Sequence, residues 1–389
     1  MLVISLTGML VVGQMYVVLP LFALMAGDWA TSAGAATWTS SVFGFAYAAG
    51  FLVSGPAADR FGPRRVILTG LTVTIATTAL VAAAPGLIAG CVLRAVQGLT
   101  AAAFAPPALS YVTSRVQPHR RATALTCLSS SYLAAGVLAQ VAAQLLGGWL
   151  GWRSVFLVGA VAVAGVVLAL RAVLLPDRPV EAGSASGSPV QALATMARLL
   201  GNPRLLALYG ATVTVLASFV AVYSGLALAG PAGLAGDPQA LLWLRLSALP
   251  AMVLVPVASP WLGRLPAAGR AGMSLAVAAL AMAGIAVTTP GVVALSVLLL
   301  VFVAGIAAAA PGAVQAVGEQ APHARGAAGA LYAFMIFVGA SLGSPLATAT
   351  TGHGFAVLAW SVTAVLAAGA LLAAVAARLI VRARAGQHT

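Results

Sequence analysis

Long apolar runs without a single charge leave this chain few folds to choose from. Ala36 to Ser54 carries no charged side chain, and neither does Val66 to Ala84. Crossing a bilayer takes about 20 such residues, and in hydrocarbon only helices or closed barrels satisfy every backbone amide. The pattern predicts twelve helices: Val3 to Met25, Ala36 to Ser54, Val66 to Ala84, Leu87 to Tyr111, Ala122 to Leu146, Ser154 to Leu175, Leu205 to Leu228, Ala240 to Leu262, Gly272 to Thr288, Val292 to Val314, Gly326 to Thr350 and Phe355 to Ala376. The expected class is an all-α, multi-pass integral membrane protein. Composition agrees, since 6% of the 389 residues are charged, against roughly a quarter in a soluble domain.

The charges fix a topology. All 19 basic residues are Arg, and twelve crossings place sixteen of them on the side of the termini: Arg60, Arg64, Arg65, Arg115, Arg120, Arg121, Arg171, Arg178, Arg198, Arg204, Arg264, Arg270, Arg325, Arg378, Arg382 and Arg384. Only Arg153 falls opposite, while Arg94 and Arg245 lie within helices. Positive loops stay inside, so both termini are expected in the cytoplasm and the excess charge does not point to nucleic acid. Cys91 and Cys127 sit in apolar runs, where a thiol behaves as a small hydrophobe. The opening stretch reads as a first membrane helix rather than a cleaved leader.

Six helices are separated from six by 176–203, whose GSASGS run, Gly183 to Ser188, has the composition of a flexible linker. The expected organisation is a bundle over 1–175, a cytoplasmic linker over 176–203 and a second bundle over 204–389 with a short tail. Within the linker, Gln191 to Leu200 is suited to a short amphipathic helix. The halves repeat: Pro118-His119-Arg120-Arg121 and Pro322-His323-Ala324-Arg325 occur at an offset of 204, which also places Arg60 on Arg264 and Gly55 on Ser259. Gly263 stands in the second copy where the first has Asp59.

Between the second and third predicted helices, GPAADRFGPRRVIL has the form G-x-x-x-D-R-x-G-x-R-R, carried by Gly55, Asp59, Arg60, Gly62, Arg64 and Arg65. It resembles the signature loop of the major facilitator superfamily of transporters, with Pro63 where that family usually has Arg. The fold this resemblance implies is two pseudo-symmetric six-helix bundles. It also implies that the loop is a conformational latch in which Asp59 releases and rebinds a neighbouring helix end, here around Gly326 and Ala327. LRAVQG, with Arg94, Gln97 and Gly98, resembles the family's helix-four motif, whose Arg serves coupling and substrate handling. GWRSVF, Gly151 to Phe156, is similar to the family's entry into helix six. The antiporter motif of helix five is poorly kept, with Val137 and Gln140-Val141 in place of the Pro and the Gly pair. Helix eleven retains GASLGSP, Gly339 to Pro345, suited to close helix packing.

Arg94 lies about seven residues, or roughly 10 Å, into its helix, where a cation faces a partner or a wet cavity. Arg245 and Gln140 reach a similar depth, and the three are expected to form a polar tier. Gln14 and Tyr16, Tyr132 with Ser129 to Ser131, Tyr223 and Tyr332 are candidate substrate contacts. All six acidic residues, Asp28, Asp59, Asp177, Glu181, Asp237 and Glu319, fall at helix ends or in loops. The chain thus lacks an obvious buried proton carrier, leaving Asp28 or Asp59 to act from the boundary, and buried cations favour a neutral or anionic cargo.

These features imply a secondary transporter working by alternating access in a bacterial cytoplasmic membrane. Export of a small amphiphilic drug-like compound or metabolite is the leading reading, as the drug-exporter resemblance implies, with protons as the candidate coupling ion. Import of a small organic anion, or binding without transport, are the alternatives. The four His fall in loops or the tail and no metal spacing exists, so no enzyme, metal site or cofactor is expected. The expected partners are the bilayer and a small molecule, with the protein a monomer.

Overall fold

A computed structural model describes residues 2–177, 189–230, 237–251, 254–255, 264–288 and 291–385. The GSASGS run, Arg178, Glu181, Ser259, Gly263 and His388 lie outside these residues, as do the side chains of Arg120, Arg121, Ser129, Ser130 and Arg384. Contacts divide the chain into two compact units, Met1–Gln191 and Ala192–Thr389.

In the first unit the helices are α1 (Leu2–Asp28), α2 (Ala33–Phe61), α3 (Pro63–Ala82), α4 (Leu87–Ala101 continuing as Ala105–Arg115), α5 (Pro118–Leu150) and α6 (Trp152–Val173). A connecting helix, Pro189–Leu200, follows. The second unit has α7 (Pro203–Ala229), α8 (described over Pro238–Leu246), α9 (Ala267–Thr288), α10 (Val292–Gln320), α11 (Arg325–Thr350) and α12 (Phe355–Ala385). Among the described residues ten helices are long and apolar enough to cross a membrane. α5 is also long enough at 33 residues, and the helix predicted over Ala240 to Leu262 is described only in part.

Proline shapes three places where the simple helix pattern fails. α1 tightens into a 3-10 turn at Leu19–Leu21, around Pro20, and α4 breaks at Ala102 to Phe104, just before Pro106 and Pro107. A proline nitrogen has no hydrogen to give to the preceding turn, so the ladder restarts. The signature segment is not an extended loop: α2 continues through Pro56 to Phe61, α3 begins at Pro63, and Gly62 alone makes the turn. Its φ of 89° suits glycine, and Pro63, the departure from the family pattern, sits at the first helical position, where its fixed φ is preorganised.

Burial is inverted relative to a soluble protein. Large apolar side chains such as Ile88, Val161, Leu168 and Leu280 are exposed, whereas Gln14, Thr78, Arg94, Gln97 and Gln140 are buried. Exposed hydroxyls satisfy themselves locally, as Thr72 does by donating to the Leu68 carbonyl at 2.7 Å.

The internal repeat is visible in the pairings. In the first unit α1 packs on α5 and α6, α2 on α4, and α3 on α4 and α6. In the second, α7 packs on α11 and α12, α8 on α10, and α9 on α10 and α12. Each half is thus folded by the same set of neighbours. Gly343 permits the α7–α11 contact, since a Cβ there would meet the Ala217 carbonyl at 2.6 Å. α11 remains helical through Pro345.

Candidate functional site

The buried guanidinium of Arg94 is the centre of the first unit. Its exposure is 0%, and its Nε donates to the Thr39 carbonyl at 3.2 Å. Nη1 donates to Gln97 Oε1 at 2.7 Å, one helical turn on. Gln97 Nε2 in turn donates to Gln14 Oε1 at 3.1 Å and to Thr78 Oγ1 at 2.7 Å. Thr78 passes its own hydrogen to the Thr74 carbonyl at 2.6 Å. Arg94 and Gln97 therefore tie α4 to α1, α2 and α3.

Two rings complete the cage, Phe43 at 4.2 Å and Phe156 at 5.8 Å from the Arg94 Cζ. The close approach of α2 depends on Gly98, because a Cβ there would overlap the Phe43 carbonyl. Among the described residues no carboxylate pairs with Arg94, and its Nη2 is buried without a hydrogen-bond partner. Desolvating such a cation costs several kcal/mol. Two charged hydrogen bonds at about 1.5–3 kcal/mol each and a desolvated ring contact of about 2 kcal/mol roughly offset that. The site is held without being neutralised.

The polar cluster belongs to one half only. At the 204-residue offset, Gln14, Thr78, Arg94 and Gln97 correspond to Ser218, Met282, Leu298 and Val301. A bundle with the same pairings folds without the cluster, so the fold does not demand it.

The other predicted residues fall around this core as follows. Gln140 is buried and donates to the Gly136 carbonyl of its own helix at 2.5 Å. Tyr16 is buried. Tyr132 lays its ring against Gly8, and its hydroxyl is buried without a hydrogen-bond partner. Tyr47, which the sequence did not single out, lies within electrostatic reach of both Tyr16 and Tyr132. In the second unit Arg245 is buried within reach of Tyr223, whose own hydroxyl has no hydrogen-bond partner. The Tyr332 hydroxyl donates to the Ala310 carbonyl at 3.1 Å. The structure brings Arg94 and Gln97 together with Gln14, Thr39, Thr78, Phe43 and Phe156. Of the other two members of the expected tier, Gln140 bonds within its own helix and Arg245 belongs to the second unit.

At the signature turn Asp59 is exposed and, among the described residues, makes no hydrogen bond or ion pair. The carboxylate engaged here is Asp177, which accepts the backbone N–H of Arg64 at Oδ1 and of Arg65 at Oδ2, both at 3.0 Å. It caps α3 from the start of the linker. Arg115 Nη2 donates to the Pro176 carbonyl at 2.6 Å, and the Leu175 amide donates to the Tyr111 hydroxyl at 3.0 Å. At the opposite helix ends Asp28 accepts from Trp152 Nε1 at 2.8 Å and pairs with Arg153. Trp29 meets Trp152 edge-on at 5.1 Å, so the GWRSVF segment locks α1 to α6. No group of three metal-binding side chains occurs among the described residues.

The Major Facilitator Superfamily model matches residues 4–344. The chloramphenicol resistance protein of Streptomyces lividans is 30% identical over 348 residues, covering 84% of this chain and 83% of that protein. An uncharacterized MFS-type transporter of Mycobacterium tuberculosis is 37% identical over 146 residues, 36% of this chain and 24% of the relative. The matched stretch there is about a quarter of the longer protein. The xylose transporter XylE from E. coli, in a partially occluded inward open conformation, superposes with a TM-score of 0.73 at 15% identity, covering 95% of each chain; that likeness concerns the fold. With a membrane-inverted helical chain of two repeated halves and a family match along most of its length, the protein belongs to the Major Facilitator Superfamily.

Proposed function

We propose that the protein exports a small amphiphilic, neutral or anionic compound across the bacterial cytoplasmic membrane, both termini lying inside. One observation carries this reading: Arg94 is fully buried, held by neutral partners, and keeps its Nη2 amino group, with both of its N–H bonds, unused. A cationic cargo would be repelled, whereas a carbonyl, hydroxyl or carboxylate of the cargo gives Nη2 its missing acceptor. The relation to a chloramphenicol resistance protein along most of its length supports export. In the first unit Tyr16, Gln140 and the buried Tyr132 hydroxyl, and in the second Arg245, the buried Tyr223 hydroxyl and Tyr332, are proposed as further substrate contacts, with Gln14, Gln97 and Gly98 holding Arg94 in place.

Alternating access requires two states of similar free energy. In this reading the exposed Asp59, with Arg60 beside it, is the movable part of the latch, and Gly55, Gly62, Arg64 and Arg65 form its seat. Asp28 is already paired with Arg153, which leaves Asp59 as the boundary carboxylate free to take a proton. The test is transport into inside-out membrane vesicles, using chloramphenicol and a panel of neutral and anionic amphiphiles with and without an imposed proton gradient. Gradient-dependent uptake supports proton-coupled export. Uptake only into right-side-out vesicles would indicate import of an organic anion instead, and saturable binding without flux would indicate a sensor.

A further inference from the structure

A groove of about 700 Å³ opens between α3 and α6, beside the signature turn and away from Arg94. Its two ends differ in chemistry. At the helix ends it is lined by Arg64, Arg65 and Arg171, and further along α3 by Leu68 and Val73. Thr69 and Thr72 also face it, but their hydroxyls already donate to carbonyls of their own helix. The far end is therefore apolar in effect.

The cations are not used up locally. Asp177 lines the groove too, yet both its oxygens are bound by the backbone amides of Arg64 and Arg65. Arg64 gives Nη2 to the Arg171 carbonyl at 3.2 Å, and its Nε is buried without a partner. The Arg65 and Arg171 guanidiniums, both exposed, have no partner among the described residues. Three guanidiniums against one satisfied carboxylate leave a cationic mouth above an apolar wall, at the end of two membrane-crossing helices.

The repeat supplies an internal comparison. At the 204-residue offset, Arg64, Arg65, Arg171 and Asp177 become Ala268, Gly269, Val375 and Val381. The pairing of α9 with α12 needs none of these charges.

We propose that this groove binds an anionic phospholipid, with the phosphate on Arg65 and Arg171 and an acyl chain along Leu68 and Val73. A basic pocket between helices at the membrane surface suits such a headgroup, and bidentate guanidinium–phosphate pairing favours Arg there. The occupied site links α3 to α6 beside the Asp177 cap, so lipid composition acts on the same turn that carries the latch.

The test is native mass spectrometry of the full-length protein in detergent, titrated with phosphatidylglycerol, phosphatidylcholine or inorganic phosphate. Wild type should retain phosphatidylglycerol over phosphatidylcholine, and millimolar inorganic phosphate should not displace it. Arg65→Ala with Arg171→Ala should weaken phosphatidylglycerol binding about tenfold or more, while Arg171→Lys should largely keep it. Arg378→Ala with Arg382→Ala, exposed arginines of α12, should leave it unchanged. If the double variant does not fold, Arg171→Ala alone decides, with binding about fivefold weaker expected. Equal retention by the groove variants and wild type would overturn the proposal. So would displacement by free phosphate, no preference over phosphatidylcholine, or an equal loss in the α12 variant.

Discussion

Arg94 and Gln97 are one turn apart and bonded to each other, yet they should respond oppositely to substitution. Arg94→Met removes a desolvated buried charge and refills its volume, a gain that roughly offsets leaving the Gln97 Oε1 acceptor without its donor. We expect a thermal midpoint within a few degrees of wild type and loss of transport. Gln97→Leu instead strands the Arg94 Nη1 donor and the Gln14 Oε1 acceptor. It should cost about 2–4 kcal/mol, read as a clear fall in the thermal midpoint in detergent. Arg94 was legible in the sequence because a charge inside an apolar run cannot be solvated by lipid and must find partners within the protein, whereas Gln97 and Gly98 were legible only through the resemblance of LRAVQG to the family's helix-four motif. Thr39, Thr78 and the two phenylalanines were not, because hydroxyls and rings are ordinary inside membrane helices and only packing brings them to one point. Gly98→Ala, which drives a methyl into the Phe43 carbonyl, should destabilise by about 1–3 kcal/mol in the same measurement.

At the level of elements, the turn between α2 and α3 shows where sequence reading stops. The signature residues were recognisable, but as a loop rather than the tail of one helix, a single glycine and the head of the next. Asp177 was passed over because it follows α6 by a few residues and lies 113 positions from Arg64, with nothing local to mark it as a cap. Its two bonds to backbone amides predict that Asp177→Ala lowers stability by about 1–2 kcal/mol. Hydrogen exchange should localise that loss to the first turn of α3. Protection changes confined to α1 or α5 would contradict the assignment. Membrane-helix positions and the repeat offset were readable, since apolar length is set directly by the bilayer; ten of the helices are long and apolar enough to cross among the described residues, and the one expected over Ala240 to Leu262 is described only in part. The breaks in α1 and α4 were not, because a proline within a membrane helix can be accommodated or can break it, and the sequence does not distinguish the two.

Over the whole molecule, the two halves share their helix pairings but not their chemistry. The first has a buried cation network, an acid-capped signature turn and a cationic groove, whereas the second has Leu298, Val301, Ala268, Gly269, Val375 and Val381 where the first has Arg94, Gln97, Arg64, Arg65, Arg171 and Asp177. This asymmetry predicts a matched pair of outcomes. Asp59→Asn should slow flux at least about tenfold without changing the thermal midpoint, since Asp59 holds no partner whose loss would be felt. Exposed changes of similar size at the matching end of the second half, such as Arg264→Gln, should leave flux within about twofold. The most direct test is flux in proteoliposomes, for a compound wild type carries, comparing wild type with Arg94→Met at equal folded protein. The structure predicts a fall of about tenfold or more in the variant with its thermal midpoint kept. Undiminished flux through Arg94→Met would contradict it.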